Sequence, residues 1–186
     1  VLGHQLDALE TAAGLPLGGI GLLPIVTETA AASLTLASYA VAGPRLRAIC
    51  FGAEDFSADL GIDPRGPDGA YAAPVAHVRA AVLAAAAAAG VPALDTPWPD
   101  PRDPAGLARE AAAAAADGFA GKLVIHPDQI GPVRAAFTPS AARVAWARAV
   151  LDGFAARPSA GVFALDGKMI DRPHLRLAER ILAAAG

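Results

Sequence analysis

Four groups able to do chemistry sit just after short apolar runs: Glu28, Asp55, Asp95 and His126. Such runs read as parallel strands covered on both faces, so these side chains gather where strands end. Glu28 and Asp55 follow successive strands, and adjacent parallel strands lie about 4.8 Å apart. Two carboxylates at that spacing can share a hard cation. Mg²⁺ suits such a site, with water and substrate oxygens completing its octahedron. Helix N-caps and first-turn acids use the same residue types because the dipole favours them, and that alternative stands beside the metal site. Glu54 adjoins Asp55, and only one of two adjacent residues faces the mouth of the sheet. His126, followed by Pro127, fits either a structural histidine bonded to backbone or a substrate contact. His4, His77 and His174 lie on helical stretches without metal-ligand spacing, no Cys/His cluster suggests zinc, and no glycine-rich phosphate loop opens a helix.

The elements that must position these residues recur in one order. Leu2, Leu6 and Leu9 mark a helix that stops at Gly14. Strands are expected over residues 20–26, 46–51, 93–94 and 123–125. Helices are expected over 29–43, from Pro74 to Ala89, and over 104–117. Repeated β-then-α cycles imply parallel strands joined by crossover helices. The fold class is therefore α/β, half of a TIM (β/α)8 barrel with about four βα units, since a complete barrel takes about 250 residues. Residues 1–139 form the partial barrel carrying the metal site, and residues 140–186 form a C-terminal helical extension. In that tail a helix over 140–156 precedes an apolar run, the turn-like segment Asp166–Asp171 and a last helix from Pro173. A chain that opens on Val1 within a helical pattern reads as a fragment, and a half-barrel leaves two sheet edges unpaired.

Composition narrows the classes. The 186 residues are 54% hydrophobic but only 5% aromatic, so the core is built by small residues on closely approaching helices. The six-alanine runs Ala84–Ala89 and Ala111–Ala116 are helix-favouring fill. A net charge of −3 with no basic cluster argues against a nucleic-acid partner. No apolar run reaches the length of a membrane span, and no basic-then-apolar leader opens the sequence; the expectation is a soluble, cytoplasmic chain. The lone Cys50 reads as a buried core thiol, and Trp98 and Trp146 as packing residues.

Four segments in one order carry a resemblance: PIVTETA (Pro24–Ala30), CFGAEDFSADLG (Cys50–Gly61), GFAGKLVIHPDQI (Gly118–Ile130) and DGKMIDRPH (Asp166–His174). Together with His77–Asp95 they make the chain similar to the HpcH/HpaI aldolase family, in its citrate lyase beta-subunit-like branch. The resemblance implies the C-terminal portion of a TIM barrel, its fifth to eighth strands, in a carbon–carbon lyase. The implied substrate is a 3-hydroxy-acyl-CoA such as malyl-, citramalyl- or citryl-CoA, cleaved by retro-Claisen chemistry to acetyl-CoA and a 2-oxo acid. It implies Mg²⁺ (or Mn²⁺) on Glu28 and Asp55, and a substrate carboxylate held by backbone at Gly52, Ala53 and Glu54. Acyl-CoA contacts fall to Lys122, His126 and Pro127, and acid/base work in a neighbouring subunit's site falls to Asp171, with Asp166 shaping its turn. Homo-oligomerisation follows from that role of Asp171, and a complex with transferase and acyl-carrier subunits is the further partner expectation. A CoA-independent class II 2-keto-acid aldolase and a non-catalytic half-barrel subunit are the alternatives.

Overall fold

Each crossover helix forms because small apolar residues recur at helical spacing and a glycine can close the last turn. The computed structural model describes residues 2–185; Val1, on which the fragment expectation rests, lies outside them. Helix α1 spans Leu2–Ala12, and α2 (Ala30–Ser33) is followed by a 3-10 turn at Leu36–Val41. Then come β1 (Ile49–Cys50), α3 (Glu54–Leu60), α4 (Ala73–Ala89), β2 (Ala93–Asp95), α5 (Pro104–Asp117) and β3 (Gly121–Lys122). In α4, Val75, Val78, Val82, Ala85 and Ala86 form the buried stripe, and Gly90 ends the helix at φ 69°, a conformation that favours glycine. In α5 the buried positions are Gly106, Leu107, Ala111 and Ala114, with the Asp103 carboxylate accepting the Gly106 N–H at 2.8 Å.

The sheet runs β1–β2–β3, all parallel, with Cys50 opposite Leu94 and Asp95 opposite Lys122. Residues 22–26 add a further parallel edge through the Leu22–Leu46 and Ile25–Cys50 bridges. The Cys50 N–H donates to the Pro24 carbonyl (2.8 Å), and the Val26 N–H donates to the Cys50 carbonyl (2.9 Å). Four parallel segments thus lie in chain order, and the α/β class holds. Ile49, Phe51, Val75, Val82 and Leu107 are the core between sheet and helices.

Three expected elements are placed differently. The helix over 29–43 is broken because the Ser33 and Thr35 hydroxyls donate to the Ala30 and Ala32 carbonyls, competing with helical bonding. The fourth strand lies at Gly121–Lys122, not 123–125: after the Leu123 N–H reaches the Asp95 carbonyl, the Ile125 N–H turns to the Gln129 side chain. Ile20 does not join the sheet, since its N–H donates to the Glu10 carboxylate at 2.7 Å.

The chain divides into two compact units, Val1–Val133 and Arg134–Gly186, with the division falling inside α6 (Ile130–Phe137). The second unit is not helical throughout. Helices α7 (Ala141–Ala155) and α8 (Arg172–Ala184) enclose a hairpin of β4 (Val162–Leu165) and β5 (Lys168–Asp171). Asp166 and Gly167 both take positive φ (48° and 75°), the pattern of a two-residue turn whose twist matches the strands. Ala147, Val150, Ile170, Ala178 and Ile181 form this unit's own core.

Candidate metal and substrate site

The Asp55 charge reaches Glu28, but the two acids are not neighbouring strand ends. Strand β1 stops at Cys50, and Asp55 and Glu54 are the exposed first-turn acids of α3. The helix-dipole alternative is therefore true of Asp55, and it is compatible with metal binding because the carboxylate stays exposed. Glu28 lies beyond the sheet edge, with its carboxylate over Gly52: a Cβ added there would come within 3.1 Å of Glu28 Oε1 and 2.8 Å of Ile25 Cγ2. Desolvation, and then the Asp55 charge, push the Glu28 carboxyl above its ordinary value. Both carboxylates are exposed, and such hard oxygens, with room left for water and substrate, are the donors Mg²⁺ takes. Among the described residues, no larger group of His, Cys, Asp and Glu is gathered for a metal.

The expected backbone cradle is narrower than the sequence suggested. The fully buried Thr27 hydroxyl accepts the Gly52 N–H (2.8 Å) and donates to the Gly52 carbonyl (2.7 Å). The Ala53 N–H donates to the Thr96 hydroxyl at 3.2 Å. Both amides are thus occupied within the chain, and Glu54, whose N–H opens α3 without an intrahelical partner, is the one of the three with a donor to offer. Gly52 matters for the space that it leaves.

Lys122 departs from its expected place on the acyl-CoA surface. Its side chain is 0% exposed, with Nζ 2.8 Å from Asp95 Oδ2 and 3.5 Å from Glu110 Oε1. Asp95, also fully buried, takes the Arg79 guanidinium on its other oxygen at 2.9 Å. Arg65 and the Tyr71 hydroxyl close on Glu110, and burial together with the Asp95 and Glu110 charges drives the Tyr71 phenol far above its ordinary value. Asp95 and Lys122 therefore belong to an ion cluster packed beneath α4 and α5.

His126 and Pro127 are exposed. The His126 Nδ1 accepts the Asp128 N–H (3.2 Å), so the structural role is present and the rest of the ring stays open to solvent. Gln129, almost fully buried, fixes this loop by accepting the Ile125 N–H and donating to the Trp98 carbonyl, each at 2.9 Å. In the second unit, half-buried Asp171 ends β5, and its Oδ1 lies 2.6 Å from His174 Nδ1.

Thr27, Thr96 and Gln129 escaped the sequence reading. The available signal was position: polar residues beside strand ends that lack charge but sit where backbone must be satisfied.

Comparison with known proteins bears on the family and the fold. The HpcH/HpaI aldolase/citrate lyase family model matches residues 18–127. A citrate lyase subunit beta-like protein of Mycobacterium tuberculosis is 44% identical over 162 residues, 87% of this chain and 58% of the relative. The mitochondrial citramalyl-CoA lyase of Homo sapiens is 36% identical over 142 residues, 75% of this chain and 41% of the relative. The chain thus spans less than two thirds of the length of either. Among solved structures, CitE from Mycobacterium tuberculosis in complex with magnesium, acetoacetate and coenzyme A superposes with a TM-score of 0.74 at 38% identity, over 98% of this chain and 73% of that one. By sequence, and with a matching α/β fold, the chain belongs to the HpcH/HpaI aldolase/citrate lyase family.

Proposed function

We propose that this chain supplies the metal-holding part of a carbon–carbon lyase that cleaves or forms a 3-hydroxy-acyl-CoA of the malyl-, citramalyl- or citryl-CoA type. The observation that carries the proposal is the Glu28 carboxylate over the Cβ-free surface of Gly52, within reach of the Asp55 charge at the start of α3. Relatives named citrate lyase subunit beta-like protein and citramalyl-CoA lyase, and the CitE structure holding magnesium and coenzyme A, support it. In this reading the four parallel segments are the C-terminal half of a (β/α)8 barrel, and residues 140–186 extend to a neighbouring subunit.

Glu28 and Asp55 would hold Mg²⁺. When bound, the metal supplies Lewis-acid polarisation of the hydroxyl and carboxylate oxygens of the 2-hydroxy-acid half. The Glu54 N–H, at the positive end of α3, orients the substrate carboxylate. His126 and Pro127 border the acyl-CoA side. In cleavage, the hydroxyl gives its proton to solvent and becomes a carbonyl as the carbon–carbon bond breaks. The bond's electron pair stays on the released acyl carbon, which takes a proton from Asp171 of a neighbouring copy, and solvent reprotonates that carboxylate. His174, against Asp171 Oδ1, holds that carboxyl in place. Carbon–carbon cleavage by the full-length protein, read as release of the 2-oxo acid from these three acyl-CoAs and from the matching CoA-free acids, tests the reading. Metal-dependent cleavage that disappears in Glu28→Ala and in Asp55→Ala is the expected result. Cleavage that survives both substitutions, or is equal without CoA, overturns it.

A further inference from the structure

Glu28 is anchored on both sides to the segment that carries Asp55. On its N-terminal side the Thr27 hydroxyl bonds both the N–H and the carbonyl of Gly52, three residues before Asp55. On its C-terminal side the Ala30 N–H donates to Asp59 Oδ2 at 2.6 Å, one turn beyond Asp55 on α3. The two bonds differ in setting: Thr27 is 0% exposed, whereas Asp59 sits on the open face of α3. Between them, residues 28 and 29 have little freedom to move relative to α3, even though no ladder of sheet bonds reaches past Val26.

We infer that Thr27 and Asp59 are positioning residues for Glu28, a hydroxyl and a carboxylate that bracket it and fix its distance from Asp55. The inference rests on the reading of Glu28 and Asp55 as metal ligands. Thr27 bonds only backbone, and Asp59 reaches the Ala30 N–H, so neither touches the ion or the substrate. Their effect is to set beforehand a geometry that the ion would otherwise have to impose. Groups that orient metal ligands without touching the metal change affinity about 10- to 100-fold when removed.

The test is Mn²⁺ titration of the metal-free, full-length protein, following the free ion by electron paramagnetic resonance with no substrate present. Glu28→Gln and Asp55→Asn come first. If both bind Mn²⁺ as wild type does, the metal reading fails and the inference falls with it. If they lose binding, Thr27→Val is expected to weaken Mn²⁺ about tenfold and Thr27→Ser to recover to within about threefold, because serine keeps the hydroxyl. On the other side, Asp59→Leu is expected to weaken binding about tenfold, while Asp59→Asn, which keeps a carbonyl oxygen to accept the Ala30 N–H, stays within about threefold. Wild-type affinity in Thr27→Val or in Asp59→Leu overturns the inference. Equal losses in Thr27→Ser and Thr27→Val, or in Asp59→Asn and Asp59→Leu, also overturn it, since then side-chain bulk or charge is responsible. Should Thr27→Val not fold, the exposed Asp59 pair decides alone.

Discussion

Replacing Lys122 by methionine keeps the apolar stem and removes a buried charge. The cluster around it pairs Arg65, Arg79 and Lys122 with Asp95, Glu110 and Asp117, so its charges balance. Without the ammonium, Asp95 Oδ2 loses its 2.8 Å partner in a place with no solvent, because both side chains are 0% exposed. Breaking one side of a buried pair costs about 3–5 kcal/mol, a large share of a typical total stability of about 5–15 kcal/mol. Restoring neutrality should recover part of that. Asp95→Asn combined with Lys122→Met is expected to be more stable than the sum of the single losses by about 1–3 kcal/mol. Urea unfolding of the four proteins at pH 7 gives the cycle. A Lys122→Met protein within about 1 kcal/mol of wild type would refute the reasoning. It would mean that the ammonium is not committed to Asp95 and can serve the surface after all.

Three further outcomes follow from particular contacts. Gly52→Ala places a methyl 2.8 Å from Ile25 Cγ2 and 3.1 Å from Glu28 Oε1. It is expected to cost about 1–3 kcal/mol in urea unfolding and to weaken Mn²⁺ binding, and an unchanged metal titration would contradict the cradle. Glu10 is fully buried, and hydrogen bonds from Arg45 and then from the Ile20 N–H hold its carboxyl down at about 2 against an ordinary 4.5. Because the folded value is depressed, its contribution is complete above about pH 4.5 and is lost as pH falls towards 2. Glu10→Gln should lower stability at neutral pH and flatten that acid limb, and an identical limb would show that the pairing does not contribute. Burial pushes the Cys50 thiol up, so an aromatic disulfide reagent should react with it only as fast as the protein opens. A rapid burst would contradict its burial.

The order and parallel sense of the sheet were legible because apolar runs and glycine-closed helices recur, and two-sided burial leaves a strong local signal. The turn expected over Asp166–Asp171 is confined to Asp166–Gly167, which take the two positive φ values that few dipeptides accept, and Lys168–Asp171 is a strand paired with β4. Glu28 and Asp55 stood out by their positions after successive apolar runs. That Asp55 opens a helix could not be separated from the strand-end reading without coordinates. Lys122 misled because it lies near His126 in the chain, while its partners Asp95 and Glu110 come from other elements. Strand alternation sends Asp95 and Lys122, opposite one another in register, toward the helices. Thr27, Thr96 and Gln129 carry no charge, and although Thr27 and Gln129 fall within PIVTETA and GFAGKLVIHPDQI, the backbone groups that the three satisfy are what reveal their roles.

Anomalous diffraction from Mn²⁺-soaked crystals of the full-length protein tests the central claim most directly. The expected result is one strong peak within about 2.2 Å of a carboxylate oxygen from Glu28 and another from Asp55, with Glu54 turned away. A peak held by Glu54 or Asp59 in place of Asp55, or Mn²⁺ bound elsewhere with the Glu28–Asp55 pair empty, would contradict it.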